Sequence, residues 1–198
     1  MDVVRLETDR LILDAPTESD VPFIFAYCQD ALIQDFTTVP QPYRLRDAEN
    51  FIAKVVRPGW SSGKELTWAL RRKDEPTILG VVALRDWNAQ QAMVGFWLGA
   101  PWRGQGYMPE AVATVCDWMF ENPWSVDENP PNTSIVWEAL IGNPASALVA
   151  RKVGFRYTGI RPGEVARFGE FAPSHRAELT VSDRPGPAEG WPAEALSR

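Results

Sequence analysis

Two short segments of the 198-residue chain carry residue types and spacings suited to chemistry. The first, Leu98 to Ala111 (LGAPWRGQGYMPEA), leads from a strand end through Gly104 and Gly106 straight into a helix. Such a turn exposes backbone amides at a helix N-terminus, where free donors and the positive end of the helix dipole can hold a phosphate or pyrophosphate. Glycine lets the anion approach the backbone closely. The segment is not a dinucleotide-binding fingerprint, because the third glycine position is Pro109. The nearest candidate for a lysine-containing phosphate loop, Gly59 to Lys64, has the wrong glycine spacing and continues with Glu65 instead of Ser or Thr. A lone G-x-G is more often a tight turn with no ligand.

The second segment is Gly142 to Phe155 (GNPASALVARKVGF), with Asn143 as N-cap, Pro144 at the first helical position and Gly154 just past the helix end. Ser146 falls in the first turn, where its hydroxyl can help cap the helix or act on a ligand. A glycine turn plus helix, then a strand, then N-x-x-S and a helix closing on K-x-G-F resembles the GNAT acetyltransferase superfamily. Within it the chain is most similar to the Rim-type branch, the ribosomal-protein alanine N-acetyltransferases, which also open with a strand like Thr8 to Leu13. The resemblance spans roughly Thr8 to Val181.

The resemblance implies that backbone amides of Arg103, Gly104, Gln105, Gly106, Tyr107 and Met108 hold the pyrophosphate of acetyl-coenzyme A. It implies that the strand Val94 to Leu98, through Phe96, Trp97 and Leu98, pairs with the pantetheine arm, and that Asn143 and Ser146 approach the same molecule. The residues alone make Asn143 a plain N-cap equally well. Three positions depart from the superfamily pattern: Pro101 stands where Gln or Arg is usual, as in the Rim-like branch; Ala150 replaces a tyrosine acid; and Arg151 replaces an acidic residue. With that tyrosine missing, Ser146 becomes the candidate acid for the leaving thiolate. An amide near Trp97 or Leu98 becomes the candidate oxyanion donor. The candidate bases are Glu164, in the loop after Ile160, and Glu138, on the strand before Asn143; a solvated surface carboxylate is the ordinary fate of each.

These segments need elements to position them. Alternation from Arg10 to Ala15 predicts a strand, and Ser19 and Asp20 open a helix that carries Pro22 in its first turn. A second helix is predicted over Asp47 to Val56, ended by Pro58 and Gly59. Thr67 to Arg71, Ile78 to Arg85 and Met93 to Leu98 read as an antiparallel meander. Val112, Val115, Cys116 and Met119 mark one buried stripe on a helix over Pro109 to Phe120. Asn122 to Asn132 reads as an acidic, proline-rich loop. Strands are expected at Ser134 to Leu140, Phe155 to Ile160 and Arg176 to Val181. The expectation is an α/β (α+β) GNAT-like domain over residues 1–183, with a mixed, mostly antiparallel central sheet flanked by helices. A proline- and glycine-rich tail over 184–198 is expected to lack structure.

Bulk properties agree with one such domain. The 26 acidic residues outnumber 20 basic ones, giving a formal charge of -6 and no basic block to track phosphates, so nucleic acid is not expected as a partner. Two cysteines, Cys28 and Cys116, sit in apolar helical patterns and read as buried hydrophobes. The single histidine, His175, precludes a histidine-rich metal site, and no metal is expected. The longest apolar stretch, Ala92 to Trp102, is too short to span a bilayer, so a cytoplasmic location and no membrane partner are expected. The expected acceptor is an amine, either a protein N-terminus or a small molecule such as an antibiotic or polyamine. A coenzyme A-binding module without turnover is the alternative from a different class, and association as a homodimer is left open.

Overall fold

A computed structural model describes residues 2–88, 90–122, 131–163, 171–183 and 186–197. Eight strands form one sheet in the order β1-β2-β3-β4-β5-β6-β8-β7. They are β1 (Leu6–Glu7), β2 (Leu11–Asp14), β3 (Glu65–Arg72), β4 (Glu75–Asn88), β5 (Gln91–Leu98), β6 (Ser134–Leu140), β7 (Arg156–Arg161) and β8 (Ser174–Thr180). Every neighbouring pair is antiparallel except β5 and β6, which run parallel. Parallel neighbours need a crossover, and α5 (Tyr107–Glu121) supplies it. Five consecutive β3 residues, Leu66 to Leu70, are fully buried, which requires cover on both faces of the sheet.

The first helices run in short pieces: α1 (Val21–Tyr27), α2 (Ala31–Phe36) and α3 (Leu45–Asn50). The meander, the buried stripe of α5, β6 and the two last strands match their sequence patterns. The helix expected to stop at Pro58 does not stop there. It passes through a π-helical stretch, Phe51–Val56, in which the Arg57 amide bonds to the Ile52 carbonyl five residues back, and continues as α4 (Arg57–Ser62). The wider π ring leaves room for a proline that an ordinary helical turn would exclude. The true stop is Gly63, in the left-handed region at φ 73° with its amide on the Trp60 carbonyl. Gly59 is required for a different reason, since a Cβ there would lie 2.2 Å from the Glu65 carbonyl oxygen. Trp60 then meets Trp68 edge-on at 5.0 Å, and Trp68 meets Trp118 at 5.5 Å.

The segment expected to lack structure is packed where it is described. Trp191 is 9% exposed and donates to the Phe155 carbonyl at 2.9 Å, and α7 (Ala193–Leu196) follows with Ala195 buried. Proline-rich composition hid one aromatic anchor, and the stretch leading to it is fastened to Arg151 by two hydrogen bonds at Ala188. Asn122 to Asn132 falls mostly on residues outside those described, as does Glu164. Helix α6 (Pro144–Val153) begins at Asn143 and ends at Gly154, φ 112°, as the sequence implied.

Candidate active site

The glycine turn joins β5 to α5. Gly99 passes so close to Tyr27 that a Cβ would sit 2.9 Å from its ring. A 3-10 turn, Ala100–Trp102, follows, and then Gly104 and Gly106 adopt φ 76° and 81°. Gly106 is the N-cap of α5, and the first helical bond recorded there runs from the Glu110 amide to its carbonyl at 3.3 Å. The amides ahead of that bond point out of the helix end, and Pro109 has none to offer. The flanking side chains hold the turn itself. Arg103 donates to the Leu98 carbonyl at 3.1 Å and to Asp30 at 2.8 Å, Gln105 donates to the Pro101 carbonyl at 3.1 Å, and Trp102 donates to the Tyr27 hydroxyl at 2.9 Å. What the turn offers an anion is therefore backbone N–H and helix dipole.

Glu110, in the first turn of that helix, would repel an anion were its charge not answered. Arg10 donates to it at 2.7 Å through Nε, Thr8 also donates to it, and the Arg10 guanidinium lies 4.7 Å from the Tyr107 ring centre. Partial burial works to raise the Glu110 pKa, but these hydrogen bonds outweigh it and hold the carboxyl below its ordinary range. Asp30 is likewise held low, chiefly by its hydrogen bond from Arg103.

In front of this turn the two parallel strands part. Pairing of β5 with β6 covers only Gln91 to Val94 against Ser134 to Trp137. Beyond it, β5 continues to Leu98 on β4 while β6 continues to Leu140 on β8. The stretch Gly95 to Leu98 thus lacks a ladder partner on its β6 side, and at Gly95 a side chain would meet open space. A linear molecule with amide groups can complete such a ladder.

Ser146 stands over the apex of that wedge. Trp137, the last β6 residue paired with β5, donates its indole N–H to Ser146 Oγ at 3.0 Å. Asn143 Oδ1 accepts from the Ser146 amide at 3.2 Å, so the helix cap is Asn143's.

Residues 10–156 match the family model of the acetyltransferase (GNAT) domain. The chain belongs to the GNAT acetyltransferase family. These are acyltransferases that use acetyl-CoA. Solved structures of the same fold include RimL, a ribosomal L7/L12 alpha-N-protein acetyltransferase (18% identity, 90% of this chain and 95% of that one, TM-score 0.75). Others are the microcin C7 self-immunity acetyltransferase MccE, solved with acetyl-CoA and AMP (17%, 88% and 94%, 0.74), and a ribosomal-protein-S5-alanine acetyltransferase from Vibrio fischeri (18%, 92% and 100%, 0.71). No curated protein sequence is significantly similar to the chain.

Set in this GNAT frame, the remaining candidates separate. Glu138 follows Trp137 on β6 and so projects from the opposite face of the pleat, half-buried beside the parting of the strands and opposite Arg176 in register. Glu164 lies outside the described residues. Ala150, at the position where many GNAT relatives carry tyrosine, is buried and has no side-chain donor. His175 is buried on β8 with Nδ1 2.9 Å from the Tyr157 hydroxyl, and burial lowers its pKa. Among the described residues no cluster of three metal-ligating side chains forms, and no helix is long and apolar enough to cross a membrane. Sequence reasoning passed over Trp137, Asp30 and Arg10. Trp137 carried a usable signal, being one strand position from a candidate base and therefore on the other face. Asp30 acts across 73 positions and left no local trace, while Arg10 stood inside the opening stretch Thr8 to Leu13, which gave no hint that it reaches Glu110 across 100 positions.

Proposed function

We propose that the chain transfers the acetyl group of acetyl-CoA to a primary amine, the reading carried above all by the parting of β5 and β6 directly in front of the glycine turn. In this reading the amides from Arg103 to Met108 hold the pyrophosphate, and the free edge of β5 at Phe96, Trp97 and Leu98 pairs with the pantetheine amides. Their spacing brings the thioester to the apex of the wedge. Asn143 borders that slot while capping α6. The Gly99 amide bonds back to Leu79 on β4, so by alternation the Trp97 amide also faces β4 and the Leu98 amide faces the open side. There it stabilises the oxyanion as the amine attacks, and no covalent enzyme intermediate is needed.

Ser146 gives its hydroxyl proton to the departing thiolate, and a carboxylate removes a proton from the attacking ammonium, directly or through water. Glu138 supports the base role by position, since it lies on the face of β6 opposite Ser146, so that acid and base flank the thioester from two sides. Glu164 remains the other candidate base.

The acceptor we favour is a protein N-terminus, because the structural neighbours RimL and the Vibrio fischeri enzyme carry ribosomal-protein acetyltransferase names. A small-molecule acceptor is the second reading, motivated by the MccE neighbour. Incubating the protein with acetyl-CoA and a panel of peptide N-termini, aminoglycosides and polyamines, read by mass spectrometry, distinguishes them. Acetylated peptides support the first reading, acetylated small amines alone the second, and coenzyme binding without product in any arm a non-catalytic module.

A further inference from the structure

The hydrogen bond that fixes Ser146 is itself held by residues outside the family-matched stretch, which ends at residue 156. Trp137 is 1% exposed, and an indole N–H can only donate. Against its ring lies Trp191, 5.4 Å between centres at 58°. Trp191 is anchored in turn by its bond to the Phe155 carbonyl and by Tyr157, 5.3 Å away, whose hydroxyl meets His175. The extended chain leading to Trp191 is fastened to the end of α6 by two bonds, from the Ala188 amide to the Arg151 carbonyl at 3.0 Å and from Arg151 Nε to the Ala188 carbonyl at 3.2 Å.

We propose that Trp137 is a positioning residue for Ser146, and that residues 186–197 serve the site by wedging Trp191 against that indole. The inference rests on the reading of Ser146 as the acid. A serine hydroxyl has one proton and two lone pairs. With one lone pair taken by Trp137 and the helix cap already supplied by Asn143, the proton is left to point toward the wedge. Accepting a bond also polarises the hydroxyl and strengthens it as a donor. Trp191 keeps the indole from rotating away, because its own ring is pinned at both edges. A tryptophan that merely satisfied its N–H in the core would need some acceptor, but catalysis would not depend on which one.

The test follows thiol release from acetyl-CoA, with an equimolar mixture of peptides beginning in Ala and Ser as acceptor, for the intact protein and for Trp137→Phe, Ser146→Ala, the double variant, Trp191→Ala and Trp191→Phe. Trp137→Phe should lower kcat about tenfold, the worth of one ordinary hydrogen bond, with KM for acetyl-CoA within about twofold. It should cost nothing further in the Ser146→Ala background. Trp191→Ala should lower kcat in the same way and Trp191→Phe should restore most of it. Wild-type kcat in Trp137→Phe alongside an impaired Ser146→Ala would overturn the positioning role and leave the acid standing. Wild-type kcat in Ser146→Ala would remove the acid reading and this inference with it. The Trp137 indole N–H resonance supplies a readout free of folding and acceptor effects. It should exchange slowly and shift on Ser146→Ala, and an unshifted signal would sink the proposal.

Discussion

At the scale of single residues, the site divides into positions fixed by backbone geometry and positions fixed by distant contacts. Gly106 belongs to the first kind, with φ 81° at the head of α5 and the Arg10 guanidinium 3.4 Å from where a Cβ would stand. Gly106→Val places a β-branched side chain in the left-handed region at a cost of about 1–2 kcal/mol. It should weaken coenzyme A binding at least tenfold by calorimetry, and full affinity in a folded variant would make the turn only a turn. Ser146→Ala should lower turnover about a hundredfold with cofactor affinity nearly unchanged. Glu138→Gln should depress the rate most at low pH, and an unaltered pH-rate profile would move the base role to Glu164 or to water. Gly106, Asn143 and Gly154 were legible in the sequence because each answers a local demand, a left-handed turn or a helix end. The Trp137–Ser146 bond was not, since it depends on how α6 is laid against β6, which no spacing encodes.

At the scale of elements, β6 and the single buried stripe of α5 were legible because their apolar residues pack in the core. By contrast, β4 runs three residues past its expected bounds at each end, where pairing with β3 and β5 carries the strand on beyond its apolar stretch. Helix α4 was misjudged because proline was read as a stop, whereas the π-helical stretch before it removes the clash. Gly63, the real stop, should lose about 1 kcal/mol of stability on substitution by alanine, since the left-handed cap at φ 73° then carries a Cβ. Chemical denaturation measures this, and an unchanged midpoint would contradict it. The turn between β5 and α5 is tied to the N-cap of α2 through Asp30 and Arg103. That pair is partly exposed and worth at most about 1 kcal/mol, so Asp30→Asn should weaken coenzyme A binding by a few-fold and leave the fold intact.

At the scale of the whole molecule, buried ionisable groups set the response to pH. Burial lowers the pKa of His175 from its ordinary 6.5, partly offset by Glu194 on α7. The unfolded chain therefore binds the proton more readily, so this contribution is complete above about pH 6.5 and is lost as pH falls through the folded-state value. The melting temperature should drop between pH 7 and pH 5, and His175→Gln should flatten that part of the slope. A slope identical in the variant would place its origin elsewhere. The thiol of Cys28 is pushed up to about 12, first by burial, so it should resist thiol reagents in the native state. The measurement closest to the central claim is mass spectrometry of a primary-amine panel incubated with acetyl-CoA and the intact protein. An acetylated amine should form in step with free coenzyme A and be strongly reduced in Ser146→Ala. Coenzyme A bound tightly with every amine left unmodified would contradict it.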